Sequence, residues 1–184
     1  MKIFAIFFLL TGLINIGFGA VVFFKNKQRL PNRIFPFFSI NLAIWCFIVF
    51  GIVLSKTITT AEFLIRSAFA AGCFLPANFH LFAATLGRKD NSITFRDKKK
   101  SILFYVLSLL LVVISYHSLF IKEISFQPQL IPLALPGPEA KYNTLFFTVY
   151  IFSVLFIMAY SLCYLFKKLR QVSGIFKVEI QYVF

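Results

Sequence analysis

The sequence predicts an all-α polytopic membrane bundle of five transmembrane helices, N-out and C-in, and three observations predict it. Of the 184 residues, 60% are hydrophobic and only 14% are charged, against about 25% charged in soluble domains. The apolar residues fall into five long runs, with short polar connections and no hydrophilic stretch long enough for a second domain. The third observation is charge asymmetry. The connections after runs 1, 3 and 5 carry four, six and four Lys or Arg, fourteen in all, against Lys2, Lys56, Lys122 and Lys141 on the other side. Cytoplasmic loops collect Lys and Arg, which puts the N-terminus outside. The net charge of +13 follows from the same bias, and no nucleic-acid partner is expected. Frequent Phe, Ile, Lys and Asn hint at a bacterium, so the expected location is its cytoplasmic membrane.

Helix 1 is expected over 3–24. A signal-peptide cut after Ala20 would leave the bulky Phe18 where a small residue is needed, so the run is taken as a span. Gly12, Asn15 and Gly19 share one face, expected to pack inward with Asn15 bonding to a neighbouring helix. Helix 2 is expected over 34–54, with Pro36 in its first turn, where a missing N–H costs little. Asn41 and Trp45 share a face, and Trp45 lies near mid-span, away from the interfacial belt.

Helix 3, over 62–87, is the expected centre of the bundle. Ser67, Ala68, Ala70, Ala71, Gly72 and Cys73 let neighbouring backbones approach closely, as lipid-embedded helices require. Its polar residues are the candidates for function. Arg66 lies one turn inside the outer boundary, four residues after Glu62. It either snorkels and pairs with Glu62 or binds an anionic or sensed ligand. Pro76 removes the hydrogen bond to the Gly72 carbonyl and kinks the helix. Pro76, Asn78 and His80 are either a kinked packing element with satisfied polar groups or a hinge facing a polar core.

Helix 4 is expected over 102–121, with Tyr105 and Tyr116 toward its ends. The segment from Lys122 to Lys141 contains Pro128, Pro132, Pro136, Gly137 and Pro138 and cannot continue a helix. Its apolar middle is expected against the membrane surface or over the mouth of the bundle. Helix 5 spans 142–166. Residues 167–184 form an amphipathic cytoplasmic tail, or a loop toward a sixth helix. The chain is read as one membrane domain, 1–184.

Several chemistries are disfavoured. Glu62, Asp90, Asp97, Glu123, Glu139 and Glu179 all fall at or beyond helix ends, which argues against a proton-coupled carrier. No mid-span Lys is available for a Schiff base, and no phosphate-binding loop, metalloprotease or hydrolase motif is present. Cys46, Cys73 and Cys163 lie in apolar runs without a paired spacing and read as small packing residues. His80 and His117 sit at different depths, at least about 10 Å apart at 1.5 Å rise per residue, too far to share a metal. No catalysis, cofactor or metal is expected.

The passage from Gly137 to Phe184 resembles the seven-helix N-terminal membrane region of bacterial sensor histidine kinases. In that family a Gly-containing external loop leads into an aromatic fifth helix, followed by a basic loop with a Gly and a Gln. Gly137, Tyr150, Tyr160, Lys167, Arg170, Gly174 and Gln181 would occupy those places, and LPANFHLFAATLGRK resembles the family's end of helix 3. The resemblance implies a fragment lacking helices 6 and 7, the phospho-accepting helix and the ATP-binding domain. Kinase activity is therefore not carried over. It implies a membrane-embedded sensor module whose partners are the lipid bilayer, a small apolar or lipid ligand, a second copy in a homodimer, and a cytoplasmic kinase output region. The alternative is a small transporter or an accessory subunit of a membrane complex. A lipid-modifying enzyme is a third reading, without a supporting motif.

Overall fold

A computed structural model describes residues 2–86, 93–126 and 138–171. The middle of the Pro-rich loop, Gly137, and the tail containing Gly174 and Gln181 lie outside these residues. The elements are α1 (Lys2–Lys25), α2 (Leu30–Leu54), α3 (Ile58–Thr85), α4 (Phe95–Tyr116), β1 (Ile121–Phe126), β2 (Pro138–Tyr142) and α5 (Thr144–Gln171). All five helices are long and apolar enough to cross a membrane. Their outward faces carry large apolar side chains such as Phe7, Phe18, Val113 and Phe152, a surface suited to lipid rather than water. This is a multi-pass membrane protein.

Three helices start earlier than apolar runs alone suggest, for local reasons. Thr57 caps α3, its side chain accepting from the Thr60 N–H at 3.2 Å. Thr94 caps α4, accepting from the Asp97 N–H at 3.3 Å and donating to the Asp97 carboxylate at 2.7 Å. A Thr cap with an acid in the first turn fixes a helix N-terminus, so the basic run from Arg96 to Lys100 is the first turn and a half of α4. Helix α2 begins at Leu30 with Pro31 in its first turn, and Pro36 lies inside the helix. The expected first-turn place of Pro36 is corrected: its missing N–H costs the bond to the Asn32 carbonyl.

Between α4 and α5 the chain forms a hairpin rather than an extended loop. Strands β1 and β2 pair antiparallel, Ile124 opposite Ala140 and Phe126 opposite Pro138. The Lys141 ammonium donates to the Glu123 carboxylate at 2.7 Å, which holds that carboxyl below its ordinary range. The hairpin base packs into the bundle. Phe120 is fully buried, and Phe120, Ile121 and Tyr142 join the core around Ile65, Phe69 and Tyr150. Burial there raises the Tyr142 hydroxyl above its usual value.

Helix α3 is the hub. In its most apolar stretch 39% of residues are buried, against 11% to 28% in the other four spans. It touches α2, α4, α5 and β1. Aromatic pairs Phe35–Phe82 and Phe38–Phe79 run α2 antiparallel to it. Helix α4 is also antiparallel, and it presents Asp97, Ser101, Phe104, Ser108, Leu111 and Ser115 as one buried stripe. That 3-and-4 spacing is a coiled-coil seam with serines at the close positions. Helix α5 runs parallel to α3, Tyr150 meeting Phe69 and Lys168 meeting Ala84.

Helix α1 lies against α2 through its glycines. A Cβ on Gly12 would stand 2.5 Å from the Phe47 ring, and one on Gly19 would stand 3.1 Å from the Ser39 Cβ. Asn15 does not bond across to another helix; its amide donates to the Thr11 carbonyl of its own helix at 2.8 Å. Because Gly12 lets the Phe47 ring of α2 approach so closely, Gly12→Leu is expected to separate α1 from α2. A disulfide between cysteines placed at Gly19 and Ser39 reports the pairing, and its yield should fall severalfold in the variant while the α3 packing is kept.

Candidate functional site

Pro76 interrupts the backbone ladder of α3, and α3's three neighbours supply donors around it. From α2, the Asn41 amide donates to the Ala71 carbonyl at 3.3 Å. From α4, the Ser108 hydroxyl donates to the Cys73 carbonyl at 2.8 Å. From α5, the Tyr150 hydroxyl donates to the Phe69 carbonyl at 2.8 Å, which also accepts from the Cys73 thiol at 3.1 Å. Two residues beyond the proline, the Tyr105 hydroxyl of α4 donates to the Asn78 side-chain oxygen. In lipid, a proline inside a span is tolerated where neighbouring side chains satisfy the disturbed backbone. The donors here come from three different helices and reach carbonyls on both sides of the break, and among the described residues none reaches the Gly72 carbonyl that Pro76 frees.

Small residues make the approach possible. A Cβ on Gly72 would lie 3.1 Å from the Tyr150 hydroxyl and 3.8 Å from the Trp45 indole nitrogen. Ala68 and Ala77 are buried on the same helix. Trp45 stands between α3 and α1, with Phe8 edge-on at 6.4 Å, which accounts for an indole at mid-span. The Asn41 side-chain oxygen is buried and accepts no hydrogen bond among the described residues.

His80 lies one turn past the proline and is fully buried. Its ring sits 4.8 Å from Phe104, 5.5 Å from Tyr164 and 5.7 Å from Tyr160. Neither ring nitrogen has a hydrogen-bond partner among the described residues. A buried donor or acceptor left unpaired costs about 1–3 kcal/mol, so packing alone does not favour an imidazole here.

Two basic side chains clamp helix ends at opposite extremes of the bundle. At the hairpin end Arg66 is only 8% exposed. It donates to the Ser115 carbonyl at 3.0 Å and the His117 carbonyl at 2.8 Å, and it pairs with Glu62 at 2.6 Å. It is thus the C-terminal cap of α4, where a cation also complements the helix dipole. At the other end Lys168 of α5 donates to the Ala84 carbonyl at 2.8 Å and the Ala83 carbonyl at 3.3 Å, capping α3. Lys168 thus ties the end of α3 to α5.

The structure gathers Asn41, Trp45, Gly72, Pro76, Asn78 and His80 along the middle and far half of α3. It leaves Arg66 ten residues from Pro76, about 15 Å along the helix, and Gly12, Asn15 and Gly19 on the α1–α2 seam. Ser108, Tyr105 and Lys168 complete the site although the sequence did not single them out for it. Serines at 101, 108 and 115, one every seven residues in an otherwise Leu-rich helix, were the available signal. Cys46 and Cys73 are buried, while Cys163 is exposed and is not the small packing residue expected of it.

The family model of the N-terminal 7TM region of histidine kinases matches residues 7–184. The chain belongs to that family. Members of this family of membrane input regions stand before a histidine kinase, so the polar collar on α3 sits in a sensor module. No curated protein and no solved structure matches the chain. Among the described residues, α1 to α5 are five helices long and apolar enough to span a membrane. The passage carrying the resemblance contains α5, where Tyr150 binds α3 and Tyr160 lines the His80 enclosure.

Proposed function

We propose that the chain is the signal-input module of a histidine-kinase-like receptor in a bacterial cytoplasmic membrane, N-out and C-in, without catalysis of its own. A small apolar or lipid ligand, or a change in the bilayer, alters the packing of α3 at Pro76, Asn78 and His80. The change passes through the Lys168 clamp into α5 and onward to a cytoplasmic output region, in a receptor that works as a homodimer. One observation carries this reading: the helix most enclosed by its neighbours holds its own backbone break and an unpartnered buried histidine within five residues. Such a site is costly to keep in a merely structural bundle.

Pro76→Ala and His80→Ala in the full-length receptor test the reading through autophosphorylation. Alanine at 76 restores the bond to the Gly72 carbonyl, and an interior proline costs a helix about 3 kcal/mol. A third of that, biased toward one signalling state, changes output about fivefold. Unchanged output in both variants removes α3 as the switch.

A further inference from the structure

At the end of the bundle where α3 stops, α4 and α5 diverge below their shared contact through Phe104 and Ile157. The gap is a cleft of about 610 Å³, within the range of ligand sites. Arg96 and Lys100 enter it from the first turns of α4, and Lys167 and Lys168 from the last turns of α5, against one carboxylate, Asp97. That carboxylate accepts from the Thr94 hydroxyl at 2.7 Å and offsets one of the four positive charges. The Lys100 ammonium is held across the cleft by the Tyr160 hydroxyl, so one cation is already positioned, while Arg96 and Lys167 are exposed. The positive end of the α4 dipole faces the same space.

We propose that this cleft binds a phosphate-bearing anion. Several cations converging from two helices need a ligand with several acceptor oxygens, and the planar Arg fork is suited to a phosphate group. The flanking surface favours a lipid headgroup as the source. Ile102 and Leu103 on α4 and Phe166 on α5 are apolar and exposed, and each lies within three residues of a cleft cation along its helix, so acyl chains would find apolar surface beside the basic residues. The proposal names a ligand class for the sensor reading and rests on that reading only for which leaflet supplies the lipid. Binding itself is independent of any output. Occupancy would reach the switch through Tyr160 and Tyr164, whose rings line the cleft and pack on His80.

The test uses the 184-residue chain in detergent, with bound phospholipid counted by native mass spectrometry. Phosphatidylglycerol is titrated against phosphatidylcholine, and inorganic phosphate and glycerol phosphate are added as soluble competitors. Arg96→Gln with Lys167→Gln should weaken phosphatidylglycerol retention about 25-fold, at roughly fivefold per cation near an anionic lipid. Lys25→Gln with Lys27→Gln, which removes the same charge at the end of α1, should stay within about twofold. Displacement by millimolar soluble phosphate would assign the site to a soluble anion, and resistance to it assigns the lipid; both keep the phosphate chemistry. Equal retention by wild type and the Arg96/Lys167 variant, or an equal loss in the Lys25/Lys27 control, overturns the proposal.

Discussion

Arg66→Met is expected to unfold the hairpin end of the bundle first and to cost about 2–5 kcal/mol. The size follows from what is left behind. The guanidinium caps the Ser115 and His117 carbonyls, and water cannot replace it at a position 8% exposed. The Ser115 carbonyl loses its buried donor, at about 1–3 kcal/mol, while the His117 carbonyl keeps the Phe120 N–H at 3.0 Å and loses the charge-assisted bond, at about 1.5–3 kcal/mol. The Glu62 pair adds little, because that carboxylate is 42% exposed and screened by water. Arg66→Lys should recover part of the loss, since one ammonium reaches a carbonyl but does not reproduce the fork. Glu62→Gln should cost under about 1 kcal/mol. Denaturant unfolding in detergent gives the totals, and hydrogen exchange shows whether the end of α4 opens first. A loss as large for Glu62→Gln as for Arg66→Met would return Arg66 to the role of a simple ion-pair partner.

Gly72→Leu is expected to have the second largest effect, through geometry rather than charge. A Cβ at Gly72 already sits 3.1 Å from the Tyr150 hydroxyl, with the Trp45 indole behind it. Leucine drives both away and breaks the Tyr150 bond to the Phe69 carbonyl, opening α3 from α5 and α2 together. Overpacking of this kind costs about 1–3 kcal/mol. Gly72→Ala asks Tyr150 to move only a few tenths of an ångström, and it gains about 1 kcal/mol of helix propensity, so its stability should be near that of wild type. Tyr150→Phe separates the two components: it removes the hydroxyl that crowds position 72 and the hydrogen bond with it. Paired with Gly72→Leu, it should recover part of the packing loss. Unfolding free energies of the four variants and wild type decide this, and a Leu variant as stable as the Ala variant would mean that the three-helix contact at Gly72 is loose.

Apolar run length made the five spans legible, because in lipid every backbone group must be satisfied within the segment. The centrality of α3 could be read from Ala68, Gly72 and Pro76, since small residues and tolerated breaks need close neighbours on all sides. Helix starts were hidden because Thr57 and Thr94 set them through single side-chain bonds, which leave almost no trace in a hydropathy pattern. The hairpin was masked by its proline-rich middle, although its ends, Ile121–Phe126 and Pro138–Tyr142, are free to pair. The donors to α3 could not be assigned from sequence. Ser108, Tyr150 and Lys168 lie 35, 81 and 84 residues from their acceptors, and nothing local says which helix each one faces. Arg66 illustrates the same limit: its partner four residues away was visible, while the α4 carbonyls it caps, 49 and 51 residues away, were not.

Helices α3 and α5 are joined where Lys168 caps the Ala83 and Ala84 carbonyls. A double-mutant cycle on output tests that link most directly. Kinase autophosphorylation is measured in the full-length receptor for wild type, Pro76→Ala, Lys168→Met and the double variant. If the α3 ladder acts on output through the Lys168 clamp, the two changes are non-additive by about 0.5–3 kcal/mol, and Pro76→Ala loses most of its effect once Lys168 is gone. Strict additivity, with each substitution acting in full on the background of the other, would contradict the account.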